Sequence, residues 1–178
     1  MRVVTRVGRS LGIALLALVI GLVAPALAKD LPWERESLAG LAGVLVLVEG
    51  LNPDVERQVV TQSTLQTDVE VKLRQVGIRV LTETEWLAAP GSPSLSVAVD
   101  AVSLSLGEAR PVYAVVVRLE LSQKVALHRN PVIALRAPTW RTGSIVAATA
   151  GKVDKVREYV RDKVDEFINA YLAANPKR

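Results

Sequence analysis

The sequence predicts an α+β fold: one domain whose sheet has four or five strands, antiparallel or mixed, with two main helices on one face. Three observations carry this. Val112–Leu127 alternates strictly, with Tyr113, Val115, Val117, Leu119 and Leu121 apolar and Arg118, Glu120, Ser122 and Lys124 polar. That period of two marks a strand with one face in a core and one in water. Leu65, Val69, Leu73 and Val76 step by four, four and three, and Val153, Val156, Val160, Val164, Phe167 and Tyr171 continue the same spacing further on. Each set lines one face of a helix.

Residues 1–28 precede this domain. Arg2, Arg6 and Arg9 form a basic start without acids, Leu11–Val23 is an apolar run of 13 residues, and Ala26-Leu27-Ala28 is a small-x-small cleavage pattern. This is the layout of a secretory signal peptide, cut between Ala28 and Lys29. The run is short for a ~30 Å hydrocarbon core, and Gly21 and Pro25 would break the end of a spanning helix. No stable membrane span is therefore expected after cleavage, and the processed protein is expected in the periplasm or secreted.

Cleavage changes the charge balance. The chain has 22 basic and 18 acidic residues. Losing Arg2, Arg6 and Arg9 leaves 19 against 18, a net charge of +1, so no nucleic-acid partner is expected. The 150 residues that remain suit one domain. The chain has no Cys and a single His. Disulfides and thiol chemistry are excluded, and a multi-histidine metal site cannot form within one chain.

The elements follow in order. Residues 29–40, with Pro32, Trp33 and mixed charge, are expected as a flexible arm, and residues 41–178 as the α+β domain. Leu41–Val48 is a continuous apolar run before Gly50 and Asn52-Pro53, which suits a strand buried on both faces. Thr61 is placed to cap the first helix, and Gly77 to end it in a left-handed conformation. Ile78–Leu81 follows as a short strand. Thr82 with Glu85 forms a capping box for a brief helix through Trp86, and Pro90–Pro93 is a loop.

Leu95, Val97 and Val99 alternate with smaller residues, after which Val102, Leu104 and Leu106 take the other parity. A parity slip predicts a bulge. Arg129-Asn130-Pro131 turns the chain after Val112–Leu127, and Val132–Thr142 returns as the hairpin partner, with Gly143 as a break. Pro138 lacks an N–H and assigns that strand to an edge or a bulge. Lys152–Ala174 is a long amphipathic helix, stopped by Asn175-Pro176.

No residue pattern carries catalysis, a cofactor or a metal. His128 lies beside a turn with no positioned partner. The carboxylates of the last helix alternate with Lys and Arg at salt-bridge spacing. Phosphate-loop patterns are missing.

The candidate surface is instead for a partner. Arg118, Glu120, Lys124 and Arg136, together with Ser122 and Asp100, share the wet register of the sheet. Trp140 has the same parity as Arg136, which points it outward with the residue types of binding hot spots. A bulge at Pro138 would turn the indole inward instead. Trp33 on the arm is a further candidate contact.

The stretch Leu65–Leu81 (LQTDVEVKLRQVGIRVL), a helix, a glycine and a strand, resembles a unit of bacterial envelope domains. These are the TolB N-terminal domain, the LpoB activator and the CsgG secretion protein. The order of elements and the terminal Ala170-Tyr171-Leu172 are similar too. The chain departs from them in lacking a lipid-anchor Cys and a propeller. The chain also looks like uncharacterised exported bacterial proteins that share Leu73–Leu81 and Arg136–Gly143.

The resemblance implies an accessory or assembly role without catalysis. The expected function is an exported, non-catalytic envelope protein that binds a protein partner or itself through an open sheet face or edge. A small-molecule or lipid carrier with an aliphatic cavity is the second reading, and a carboxylate-dependent hydrolase the third.

Overall fold

The computed structural model describes residues 31–49, 51, 61–104, 112–149 and 155–176. The expected signal peptide and cleavage site fall outside the described residues. The elements are α1 (Pro32–Glu36), β1 (Leu45–Val48), α2 (Gln62–Gln75), α3 (Glu83–Ala88), β2 (Ser94–Leu104), β3 (Val112–Leu127), β4 (Asn130–Thr149) and α4 (Lys155–Ala174).

The fold is α+β. One four-stranded mixed sheet has the order β1-β2-β3-β4. β1 runs parallel to β2, while β2–β3 and β3–β4 are antiparallel. α2 and α4 pack against the sheet on the side of Val115, Val117, Leu119 and Leu121, all of which are buried.

Local chemistry sets the helix ends. The Thr61 Oγ1 accepts from the Thr64 N–H at 3.2 Å. Gly77, at φ +85°, ends α2 where other residues are strained. At α3, Thr82 and Glu85 form the expected capping box. Val156, Val160, Val164 and Phe167 of α4 are all buried, and Ile168 and Ala170 widen the stripe.

Five expectations are corrected. β1 is not buried on both faces, because it is an edge strand covered on one side only, and Leu47 is 44% exposed. Residues 79–81 form no strand; they bracket Val44, with Val44 N–H donating to the Arg79 carbonyl and Leu81 N–H to the Val44 carbonyl. β2 pairs with β3 without a register shift. Val102 keeps the strand's parity and points away from the core, so the slip in the pattern is an exposed valine rather than a bulge. Gly143 does not break β4, which continues to Thr149. A Cβ there would stand 3.0 Å from the Val117 carbonyl oxygen, so the glycine permits close strand approach.

The fifth correction concerns residues 31–40 of the expected flexible arm. Pro32–Glu36 is helical, and Leu38 is completely buried. The end of α4 holds this segment. Asn175 accepts from the Gly40 N–H at 2.8 Å and donates to the Leu38 carbonyl at 2.9 Å. The Tyr171 hydroxyl donates to the Leu41 carbonyl at 3.1 Å.

The bulges lie in the last hairpin. Leu121 pairs with Trp140 and Ser122 with Pro138, leaving Thr139 as an extra residue in β4. One extra residue inverts the facing of everything beyond it. From residue 140 onward, the even positions of β4 therefore turn toward the helices.

Candidate functional site

The inverted parity decides the candidate surface. Trp140, expected outward, is 1% exposed and packs edge-on against Phe167 with ring centroids 5.3 Å apart. It belongs to the core. The bulge opposite Ser122 supplies the physical reason.

Arg136 precedes the bulge and keeps the outward register, but its guanidinium is engaged. It lies over the Trp86 ring at 5.0 Å and donates to the Ser92 carbonyl at 2.9 Å, Ser94 Oγ at 2.5 Å and the Ser122 carbonyl at 3.2 Å. Trp86 Nε1–H donates to the same Ser92 carbonyl at 2.6 Å. Arg136 thus ties the loop before β2 to the hairpin.

Trp33 is 66% exposed. It stands on α1, which packs on α4 and β4, so it is not part of the open sheet face. Lys124 lies beyond the start of β2, outside that face as well. Of the residues named from the sequence, Arg118, Glu120 and Asp100 share the open face.

Cross-strand pairing builds this face row by row. Leu47, Ser96, Glu120 and Arg141 form one row, Ala98, Arg118 and Gly143 the next, and Asp100, Val116 and Ile145 the third. Val102 stands diagonal to Val116. Arg118 Nη2 donates to Asp100 Oδ2 at 3.1 Å. This exposed pair contributes little to stability.

A hollow of about 140 Å³ between Glu49, Ser96, Ala98, Arg118 and Glu120 lies over the small residues. Val102 is 61% and Ile145 55% exposed. With Val116 they form an apolar patch beside a charged row. The sequence reading missed Leu47, Val102 and Ile145. Unbroken parity through β2, with Ser96 and Asp100 also even-numbered, was the signal for Val102.

Two larger hollows, each of about 380 Å³, lie outside this face. One runs between α2 and α4, over Leu65, Val69, Val160 and Val164, with Asp68, Lys72, Arg157 and Arg161 around it. The other is bounded by Arg35, Trp140, Thr142 and Glu166. Both combine apolar and charged walls.

Across the first hollow, Arg157 grips Asp68 with two hydrogen bonds, one of them Nη2–H to Oδ1 at 2.8 Å. That hydrogen bonding holds the Asp68 carboxyl below its ordinary value. The Thr82 N–H, then Arg79, does the same for Glu85. Both shifts are downward, the direction that such pairing produces.

The depressed Asp68 value has a consequence for stability. Its contribution is present above the unfolded carboxylate pKa of about 4 and is lost as pH falls through the lower folded value. Asp68→Asn should therefore lower stability slightly at neutral pH and flatten the acid side of a stability-against-pH curve below about pH 4 by the same small amount. Urea unfolding across that range measures this, and an unchanged acid slope would refute it.

Among the described residues, no helix is long and apolar enough to cross a membrane. No protein-family model matches the chain, and no curated protein matches it. Among solved structures, a dodecamer of a PelC variant from Paraburkholderia phytofirmans superposes with a TM-score of 0.37 and 17% sequence identity. The match covers 85% of this chain and 96% of that one. So distant a likeness carries no argument about function, which rests on the surfaces of this chain.

Proposed function

We propose that this is an exported accessory protein of the cell envelope, without a catalytic role, that associates with protein through the open face of its sheet, in a second copy or in another envelope protein. One observation carries the reading. The sheet face opposite the helices holds Val102, Val116 and Ile145 as an apolar patch, beside Asp100, Arg118, Glu120 and Arg141. An exposed apolar cluster bordered by charge is the anatomy of a protein interface. The leader-like residues 1–28 support export.

The test is native mass spectrometry of the processed protein, isolated from its own envelope, as parent and as Val102→Asp and Ile145→Asp variants. The parent should carry a second copy or a defined protein partner. Each aspartate should reduce that complex at least about ten-fold, a change of roughly 1.4 kcal/mol. Melting temperatures should be unchanged, since both side chains are exposed. Complexes of equal abundance in parent and variants would remove the open face from consideration.

A further inference from the structure

The β3–β4 hairpin outruns the sheet that carries it. β2 begins at Ser94, paired with Ser122. Beyond that point the loop before β2 still backs β3 as far as Lys124, whose N–H donates to the Gly91 carbonyl at 2.7 Å. Past it only β3 and β4 remain paired, from Val125 with Leu135 to Leu127 with Asn130. Three paired rows give a two-stranded ribbon of about 10 Å plus its turn.

The ribbon is two-sided. Lys124 and Arg136 share one face, and Val125 and Leu135 the other. The second register shift, between Ala126 and Leu127, leaves Pro131, Val132 and Ile133 without cross-strand partners at the tip. Val132 is 90% exposed and Ile133 45%. Arg129 occupies the turn and is exposed, with His128 beside it.

The ribbon's charge is of one sign. From Lys124 to Arg136 the sequence has no Asp or Glu, while Lys124, Arg129 and Arg136 are basic. Folding of the domain does not account for aliphatic side chains held in water at the end of such a projection. Pairing with the same ribbon of a second copy would bring like charges together. An anionic lipid surface satisfies both features. Aliphatic tips enter the boundary of headgroups and acyl chains, and cations beside them meet lipid phosphates.

We propose that the Lys124–Arg136 ribbon docks this protein on a membrane surface rich in anionic phospholipid. Val132 and Ile133 insert, while Lys124 and Arg129 contact the headgroups. The contact is peripheral and uses a surface distinct from the open sheet face.

Co-sedimentation of the processed chain with vesicles tests this, using phosphatidylcholine alone and phosphatidylcholine with about one third phosphatidylglycerol. Binding should be at least about ten-fold stronger to the anionic vesicles and should fall with added salt. Lys124→Glu with Arg129→Glu should lower it at least about ten-fold. Val132→Asp with Ile133→Asp should reduce it to the level of neutral vesicles. Melting temperatures of both double variants should match the parent.

Equal binding to the two vesicle types would overturn the proposal. So would variants that bind like the parent, or a parent that stays in solution while residue 132 cross-links to another protein. Val102→Asp and Ile145→Asp should leave vesicle binding intact, so failure here is distinguishable from failure of the sheet-face reading.

Discussion

Trp140→Ala is expected to destabilise the protein by about 3–5 kcal/mol, lowering the melting temperature by roughly 6–20 °C for a domain of this size. The indole is fully buried and meets Phe167 edge-on. Truncation would leave a cavity between β4 and α4, lined in part by Phe167. Collapse is hindered because Phe167 also packs beside Tyr171, whose hydroxyl anchors the Leu41 carbonyl. An outward Trp140, the facing that its shared parity with Arg136 suggests, would instead change stability by less than about 0.5 kcal/mol on removal. Thermal melting of this one variant therefore decides the facing of β4 beyond Pro138.

Gly43→Val is expected to cost at least about 1–3 kcal/mol, the range for forced overpacking. A Cβ at residue 43 would stand 2.6 Å from the Arg79 carbonyl oxygen and 2.9 Å from Leu81 Cδ2. The Arg79 carbonyl accepts from the Val44 N–H, and Leu81 donates to the Val44 carbonyl. Moving residues 79–81 aside breaks that bracket. The amides of Val44 and Leu81 should then exchange faster with solvent than in the parent. Gly40→Ala is the control, since its Cβ would meet nothing within 4 Å and only its φ of +74° opposes a side chain. Its cost should stay at about 1–2 kcal/mol, with exchange at Val44 unchanged. Equal exchange in the Gly43→Val and Gly40→Ala variants would refute the close-approach argument.

Much of this fold was legible because the relevant physics is local. Thr61 caps α2 through the backbone of Thr64, three residues on. Gly77 ends it because the chain must adopt positive φ there. The buried stripe of α4 follows from helical period alone. Parity along β3 identified the helix-covered side of the sheet, and with it the outward positions of Arg118 and Glu120.

Other features were set by partners far along the chain. Residues 29–40 read as a loose arm in sequence, yet Asn175 and Tyr171 bind the backbone of Leu38, Gly40 and Leu41 from the other end of the protein. The apolar LAGVLVLV run does not reveal that β1 is an edge, which left Leu47 exposed. Arg136 looks free until the fold brings Trp86 and the Ser92 carbonyl beneath its guanidinium.

The sequence alone determined the α+β class, the capped helices, the strand periods and the absence of cysteine chemistry, because spacing and composition are properties of the chain itself. Tertiary structure decided which side of the sheet Trp140 joins and how far the last hairpin projects. Those outcomes depend on the single extra residue at Thr139 and on where β2 begins. Register is a relation between strands, and no one strand's sequence contains it.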